Sequence, residues 1–486
     1  MILIRTAAWP IGLLGAALSC YSAAAAIAPA QVVPAEVRQA LADADVPLSH
    51  VALLARPVGE PQGGVAWRAG EPMNPASVMK LLTTFAGLEL LGPQYRWQTT
   101  VWQAGKLRDG TFSGRLVLRG GGDPRLLLEH CWLLLRELRL RGVRRIEGDV
   151  LLDRSAWQLP AAGADFDDTP HRPYHVEPDP LLTNFRTVRL TLLPQSGQVA
   201  VLADPALPAI ELVNQLQPDA QPCGDWKSGW QVSVTHSRQI TVSGRYRLAC
   251  GERNEYVAVL NAGAYSAALL SALWQEMGGE LTGQVIEGAT PADARLWFSY
   301  PSPPLVEVIR DINKFSNNTQ ARLLYLTLGL ADTPPGGNPL PAAGQAVRRW
   351  LAQRGLALPE LVLENGAGLS RHERISAASL AALLDLAQAS PLGAELESSL
   401  PLVASDGTMK RRLQDRPAAG RAHIKTGSLE GVRSIAGYVH AADGRKWVIV
   451  GIVNHPAAAN ANPALDRWID WVAGQGAAPS RLAASD

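Results

Sequence analysis

Asn74-Pro75-Ala76-Ser77-Val78-Met79-Lys80 is followed at once by an apolar run, Leu81 to Leu91, and then by the stop signal Gly92-Pro93. Pro75 and Ser77 are residue types that open helices, and Met79, Leu82, Leu88 and Leu91 recur at helical spacing, which predicts a buried helix with Ser77 near its N-terminus. Residues three apart share a helix face, so the Lys80 side chain reaches the Ser77 hydroxyl, the geometry a nucleophile and its base require. Ser-x-x-Lys is a weak pattern by itself and arises by chance in chains of this length, although this chain contains it only here. The sequence around it has to decide.

Immediately upstream, Val51 to Arg56 and Gly64 to Arg68 read as two short strands joined by a Pro/Gly-rich turn, so the candidate nucleophile follows a hairpin. Further upstream, a single Arg5, an apolar stretch from Ala7 to Leu18 and small residues ending in Ala23-Ala24-Ala25-Ala26 read as a secretory signal over residues 1–26, cleaved after Ala24 or Ala26. Pro10 and the shortness of the run argue against a membrane anchor, and Ala17, where a larger aliphatic is usual, argues against lipoprotein processing at Cys20. The mature chain is therefore expected to be exported, into the periplasm, with no stable membrane anchor. There Cys223 and Cys250, which flank two predicted strands, are the natural disulfide pair, and Cys131 falls in an apolar helix as a small core residue.

Downstream the texture changes. Trp97–Gln103, Arg115–Arg119, Ile146–Leu152, Val188–Leu193, Val199–Leu202, Trp230–Thr235, Ile240–Leu248 and Tyr256–Leu260 read as short strands, with helices only around Cys131–Arg141 and Ser266–Met277. Residues 95–290 are thus a β-rich insertion, of two subdomains, and Tyr300-Pro301-Ser302-Pro303-Pro304 marks the return. Helical periodicity resumes in Leu305–Ile312, Ala321–Leu328, Ala342–Leu351 and Ala377–Leu386. Three strands follow, Ala422–Thr426, Ser434–His440 and Trp447–Asn454, the last two joined at the hairpin signal Asp443-Gly444, and a helix Ala464–Val472 closes the chain. The N-terminal hairpin and these three strands would make one antiparallel five-stranded sheet covered by helices, an α/β (α+β) domain of residues 27–94 and 291–486 split by the insertion.

Length, 47% hydrophobic content and 35 prolines allow two or three domains with proper cores. A formal charge of +1 gives no basic footprint for nucleic acid and no polybasic patch for lipid. His171-Arg172-Pro173-Tyr174-His175-Val176-Glu177 has the histidine spacing of a zinc site, but Pro173 and Pro178 oppose the helix that would make the two imidazoles converge, so it reads as a loop.

Two further signals complete a constellation. Phe315-Ser316-Asn317-Asn318 places Ser-x-Asn in a loop after a helix, and Lys425-Thr426-Gly427 lies on the first strand of the C-terminal meander, where Gly427 lets a substrate backbone approach. Each three-residue pattern is weak alone, since a helix-ending turn and an edge-strand lysine would look the same. Their order, on helix, loop and strand, is what distinguishes them.

With these three signatures the sequence resembles the serine penicillin-recognising enzymes. The roughly 240 positions between Ser77 and Ser316 exceed what a compact β-lactamase arrangement needs. That spacing is similar to the class C low-molecular-mass penicillin-binding proteins, the D-alanyl-D-alanine carboxypeptidase/endopeptidases of peptidase family S13 typified by penicillin-binding protein 4. Arg119 to Pro124, Glu147 to Val150, Glu364 to Arg371 and Ser405 to Thr408 resemble recurrent stretches of that family, with Ala367 where Ser is common and Glu364 where Asp is common.

The resemblance implies a serine β-lactamase/transpeptidase-like fold and a D-Ala-D-Ala carboxypeptidase with DD-endopeptidase activity on peptidoglycan stem peptides, inhibited covalently by β-lactams, with no metal or organic cofactor. It implies Ser77 as nucleophile, Lys80 as its base with a pKa lowered by burial and by Lys425, Ser316 as a proton relay and Asn318 on the substrate backbone. Lys425 and Thr426 would hold the terminal carboxylate, with the backbone N–H groups of Ser77 and Ser428 as oxyanion hole. Arg371 would clamp the carboxylate of a diaminopimelate side chain, and Asp168 would meet its ammonium. Two rivals stay open: a β-lactamase or esterase, although no Glu-x-x-x-Asn signature lies between Ser316 and Lys425, and a penicillin sensor or scaffold without turnover.

Overall fold

The computed structural model describes residues 32–61, 63–160, 169 and 171–476. The signal segment 1–26 and Asp168 lie outside the described residues.

One five-stranded sheet organises the two ends of the chain. Its order is Ala422–Leu429, Val432–His440, Lys446–Asn454, Val51–Pro57 and Val65–Trp67, and every neighbouring pair is antiparallel. Val51–Pro57 is the seam: it pairs along its length with the last strand, from Val51↔Val453 to Pro57↔Trp447. Alternation along this strand feeds two cores, because successive side chains point to opposite faces. Ala52 and Leu54 face the serine helix, whereas Val51, Leu53 and Ala55 face the closing helix Asn462–Ala473 and the first helix Ala35–Asp43.

The serine helix begins as a 3-10 turn, Ala76–Met79, and continues as an α-helix, Lys80–Leu91. Its residues from Lys80 to Leu88 are all buried, as an apolar helix with no polar face must be, and it packs among helices Leu305–Phe315, Asn318–Gly329, Leu340–Gln353 and Ala377–Ala389.

The chain leaves this domain and returns at one place. Ser302 N donates to Trp97 O (2.9 Å), Trp97 N donates to Ser302 Oγ (3.0 Å), and Leu305 N donates to Tyr95 O (2.8 Å). Between these points, a mixed sheet carries helices Leu128–Leu140 and Ala262–Glu276, beside two three-stranded sheets, and one apolar cluster runs through all three sheets. The segment expected as one strand, Ile146–Leu152, is two, Arg145–Glu147 and Val150–Asp153. Gly148 separates them with φ 127, and a Cβ there would lie 2.1 Å from the Gly114 carbonyl oxygen. A strand without an apolar signal, Glu211–Asp219, buries only Leu216 and carries Pro218; it sits at the edge of its sheet, where neither feature costs pairing.

Cys223 and Cys250 are disulfide-bonded, and Cys131 is a free, buried thiol. The disulfide ties the loop before the Trp230–Thr235 hairpin to the turn that ends strand Gln239–Arg247.

Candidate active site

The site starts from the turn before the helix. Ala76 adopts φ 45 and donates its N–H to Asn74 Oδ1 (2.9 Å). Asn74 in turn exchanges two hydrogen bonds with Asn454, donating N–H to Oδ1 (2.8 Å) and accepting from Nδ2 at its carbonyl (3.0 Å). Ser434 Oγ donates to the Pro75 carbonyl (2.6 Å). The Ser77 turn is thus bolted to the two central strands of the sheet.

Two glycines make the close approach sterically allowed. A Cβ at Gly368 would lie 1.9 Å from Ala76 O and 2.8 Å from Ser77 N, and one at Gly427 would lie 2.6 Å from Pro75 O and 3.1 Å from Ser77 N. Gly427, expected to admit a substrate backbone, therefore admits the serine turn itself. It brings the Ser428 end of the strand alongside the Ser77 amide.

Lys80 is fully buried, and its Nζ lies within hydrogen-bonding distance of three oxygens: Ser77 Oγ at 2.8 Å, Asn318 Oδ1 at 2.6 Å and Ala367 O at 2.5 Å. Burial lowers its pKa well below the ordinary lysine value; the Lys425 cation lowers it further and the Glu373 carboxylate opposes both. A neutral amine has two hydrogens and a lone pair. Two of the three partners are oxygens that can only accept, so the hydrogens go to Asn318 and Ala367, and the lone pair is left for the Ser77 hydroxyl proton.

Lys425 is equally buried and donates to Ser316 Oγ (2.9 Å) and to the Thr426 carbonyl (2.7 Å). Burial alone brings its pKa down to about 7. Ser316 ends its helix in the left-handed region, φ 58, and Asn317 caps the next helix by accepting from Gln320 N (2.9 Å), so Asn318 enters as its first residue and points at Lys80. The helix-loop-strand order thus brings together two hydrogen-bonded groups, Ser77–Lys80–Asn318 and Ser316–Lys425.

Three supports went unread. Lys314 is buried, and its ammonium meets the Leu400 carbonyl (2.6 Å) and the Asp406 carboxylate (2.7 Å). The Ser405-to-Thr408 stretch thereby braces the Ser316 loop, and Thr426 Oγ1 donates to Thr408 Oγ1 (2.8 Å). The third support is the Ala367 carbonyl; a backbone atom leaves no residue-type signal. Asn74 was legible in principle, standing three positions before Ser77.

Thr426 and the exposed Ser428 lie on the same strand as Lys425. Arg371 sits at the far end of that strand, where its guanidinium donates to the Glu430 carbonyl (3.1 Å) and to Glu430 Oε2 (3.0 Å). His175 falls in a short 3-10 turn, Pro173–His175, of the insertion.

The chain was compared with known protein families, curated proteins and solved structures. The family model described as D-Ala-D-Ala carboxypeptidase 3 (S13) matches residues 33–472. The chain is 25% identical over 424 residues to D-alanyl-D-alanine carboxypeptidase DacB of Haemophilus influenzae, covering 84% of this chain and 85% of that one. It is 27% identical over 410 residues to a D-alanyl-D-alanine carboxypeptidase of an Actinomadura species, covering 79% and 74%. The crystal structure of penicillin binding protein 4 (dacB) from H. influenzae superposes with a TM-score of 0.72 at 22% identity, covering 89% of this chain and 99% of that one, and its complex with a β-lactam gives 0.69.

Proposed function

The chain belongs to the D-Ala-D-Ala carboxypeptidase 3 (S13) family, and we infer that it cleaves the D-alanyl-D-alanine bond of peptidoglycan stem peptides through an acyl-enzyme on Ser77. The observation that carries the assignment is the disposition of Lys80, whose two acceptor-only partners leave its lone pair for the Ser77 hydroxyl. Ser77 Oγ bonds to the scissile carbonyl carbon as its proton passes to Lys80 Nζ. The oxyanion is met by the backbone N–H groups of Ser77 and Ser428, while Lys425 and Thr426 hold the terminal carboxylate. On collapse the carbon–nitrogen bond breaks and the leaving amine takes, through Ser316, the proton that Lys80 accepted, which leaves Lys80 neutral again. Water then attacks the ester carbonyl, its proton passing to Lys80 and from there to the departing Ser77 oxygen. None of these steps calls for a cofactor.

The same reading extends to features of coarser support. The five-stranded sheet with its serine helix is a serine β-lactamase/transpeptidase-like domain, formed by the residues before Trp97 and after Ser302; the insertion runs to that point rather than to 290, because Arg295–Pro301 pairs with Gln98–Gln103 of its mixed sheet. Export through a cleaved segment 1–26 would place the enzyme in the periplasm, where β-lactams would acylate Ser77. The insertion, whose Pro173, Phe185 and Lys227 line a cavity together with Ser316 and Asn318, favours a bulky cross-linked substrate, hence endopeptidase as well as carboxypeptidase action. Arg371, with Asp168 of the insertion, would read the diaminopimelate side chain.

The test is release of D-alanine from a pentapeptide, run beside labelling by a fluorescent penicillin, with Ser77→Ala as control. Release and labelling, both lost in Ser77→Ala, are expected. Labelling without release would make the protein a sensor, and labelling that survives in Ser77→Ala would remove the nucleophile assignment.

A further inference from the structure

Behind the Ala367 carbonyl lies a carboxylate that the catalytic scheme does not use. Glu373 has no solvent exposure, and its Oε1 accepts three backbone N–H bonds, from Glu364 (3.0 Å), Asn365 (3.0 Å) and Gly366 (3.3 Å). Its Oε2 is buried without a hydrogen-bond partner among the described residues. The turn it gathers is the one that serves Lys80. Gly366 O accepts from Thr83 Oγ1 (2.6 Å), one helical turn on from Lys80, and Ala367 O accepts from Lys80 Nζ itself.

We propose that Glu373 is a positioning residue for the Lys80 base: its carboxylate clamps the 364–366 amides so that the Ala367 carbonyl is held against Nζ, and it sets a negative charge within reach of that amine.

A neutral acceptor would have sufficed to anchor the turn. Burying a carboxylate with one oxygen unpartnered costs more than burying an amide or hydroxyl, so its presence here points to a use for the charge. The groups facing it are few. Lys80 approaches from the serine helix with Lys425 beyond it, Tyr325 comes from helix Asn318–Gly329 with Arg348 behind, and Glu364 lies on its own loop. Burial raises the Glu373 pKa and the three amides lower it. Burial and Lys425 both push Lys80 down, and Glu373 is the opposing influence. A general base works best with a pKa near the operating pH, and Glu373 would keep Lys80 from falling too far below it.

The experiment is the pH dependence of the second-order rate constant for acylation by a fluorescent penicillin, in the parent, Glu373→Gln and Glu373→Ala, with melting temperatures of the same preparations. Glutamine retains an oxygen for the three amides but no charge. Its acid limb, where Lys80 loses its proton, should move to lower pH by ~0.5 unit or more, making the variant about threefold faster than the parent below the parental limb. Alanine, which releases the turn, should be slower by about tenfold or more at every pH. A glutamine profile superimposed on the parental one overturns the proposal even if that variant melts lower, because a merely structural glutamate changes amplitude and stability but not the position of the limb. The proposal rests on the Ser77 acyl-enzyme, and absence of labelling in the parent would remove both together.

Discussion

Lys80 and Lys425 are two buried amines asked to hold opposite protonation states. In the proposed mechanism Lys80 is neutral when it takes the Ser77 proton, and burial and its neighbour lower it accordingly; Lys425 is there charged to hold a carboxylate, and burial brings it to about 7. The signs follow. Rate rises with pH as Lys80 deprotonates and falls as Lys425 does, so kcat/KM for a D-Ala-D-Ala peptide should be bell-shaped, with its alkaline limb near 7 in the free enzyme. A bound substrate carboxylate favours the Lys425 cation, so the alkaline limb of kcat should lie higher than that of kcat/KM. Stopped assays of D-alanine release across the pH range check both limbs, and a flat profile between about pH 6 and 9 would exclude Lys425 as the carboxylate cation.

The elements that carry these residues were legible to unequal degrees. The serine helix and the C-terminal meander are strongly patterned, and their strands fall within a few residues of expectation: Ala422–Leu429, Val432–His440 and Lys446–Asn454. The Ser-x-x-Lys, Ser-x-Asn and Lys-Thr-Gly side chains could be named because each is a residue type in a fixed local setting. What holds them could not. The Asn74–Asn454 exchange and the Ala367 carbonyl depend on pairings across hundreds of residues, and strand Glu211–Asp219 has too little apolar surface to announce itself. Gly427 marks the boundary between the two kinds. Its type is visible in the sequence, but its reason, contact with the Pro75 carbonyl and the Ser77 amide, is tertiary. Gly427→Ala should force the strand away from the serine turn and lower penicillin acylation on the order of a hundredfold, as a misplacement of about 1 Å can do; acylation at the parental rate would show that the turn can yield. In the insertion, replacing Cys223 and Cys250 with Ser should lower stability by about 2–4 kcal/mol through the loop they close, with acylation by penicillin unchanged. Denaturant midpoints measure it, and a loss of acylation in the folded variant would mean that the disulfide acts on the cleft.

At the scale of the whole molecule, the insertion is fastened to the elements that carry the second motif rather than hung from a flexible stalk. Gln320 Nε2 donates to the Pro124 carbonyl (3.2 Å), and Arg125 meets Asp311 (3.4 Å), so Pro124-Arg125, where the Arg119-to-Pro124 stretch ends, grips the helices on either side of Ser316. The insertion is thus held beside the Ser316 loop, while the turn where Arg371 holds Glu430 closes the end of the Lys-Thr-Gly strand. A diaminopimelate side chain ends in an ammonium and a carboxylate, so a pocket that reads it needs both signs of charge. Arg371 offers a planar fork suited to the carboxylate, and its pairing with the 87% exposed side chain of Glu430 is a contact that a substrate can displace at little cost. Arg371→Ala should accordingly reduce kcat/KM for a diaminopimelate-containing peptide by the worth of a charge-assisted hydrogen bond, about 1.5–3 kcal/mol or roughly ten- to a hundredfold. Acylation by penicillin, which lacks that side chain, should hardly change. Equal losses on both substrates would mean that removing the Glu430 pairing disturbs the Lys-Thr-Gly strand itself, and no loss on either would leave Arg371 as a surface ion pair.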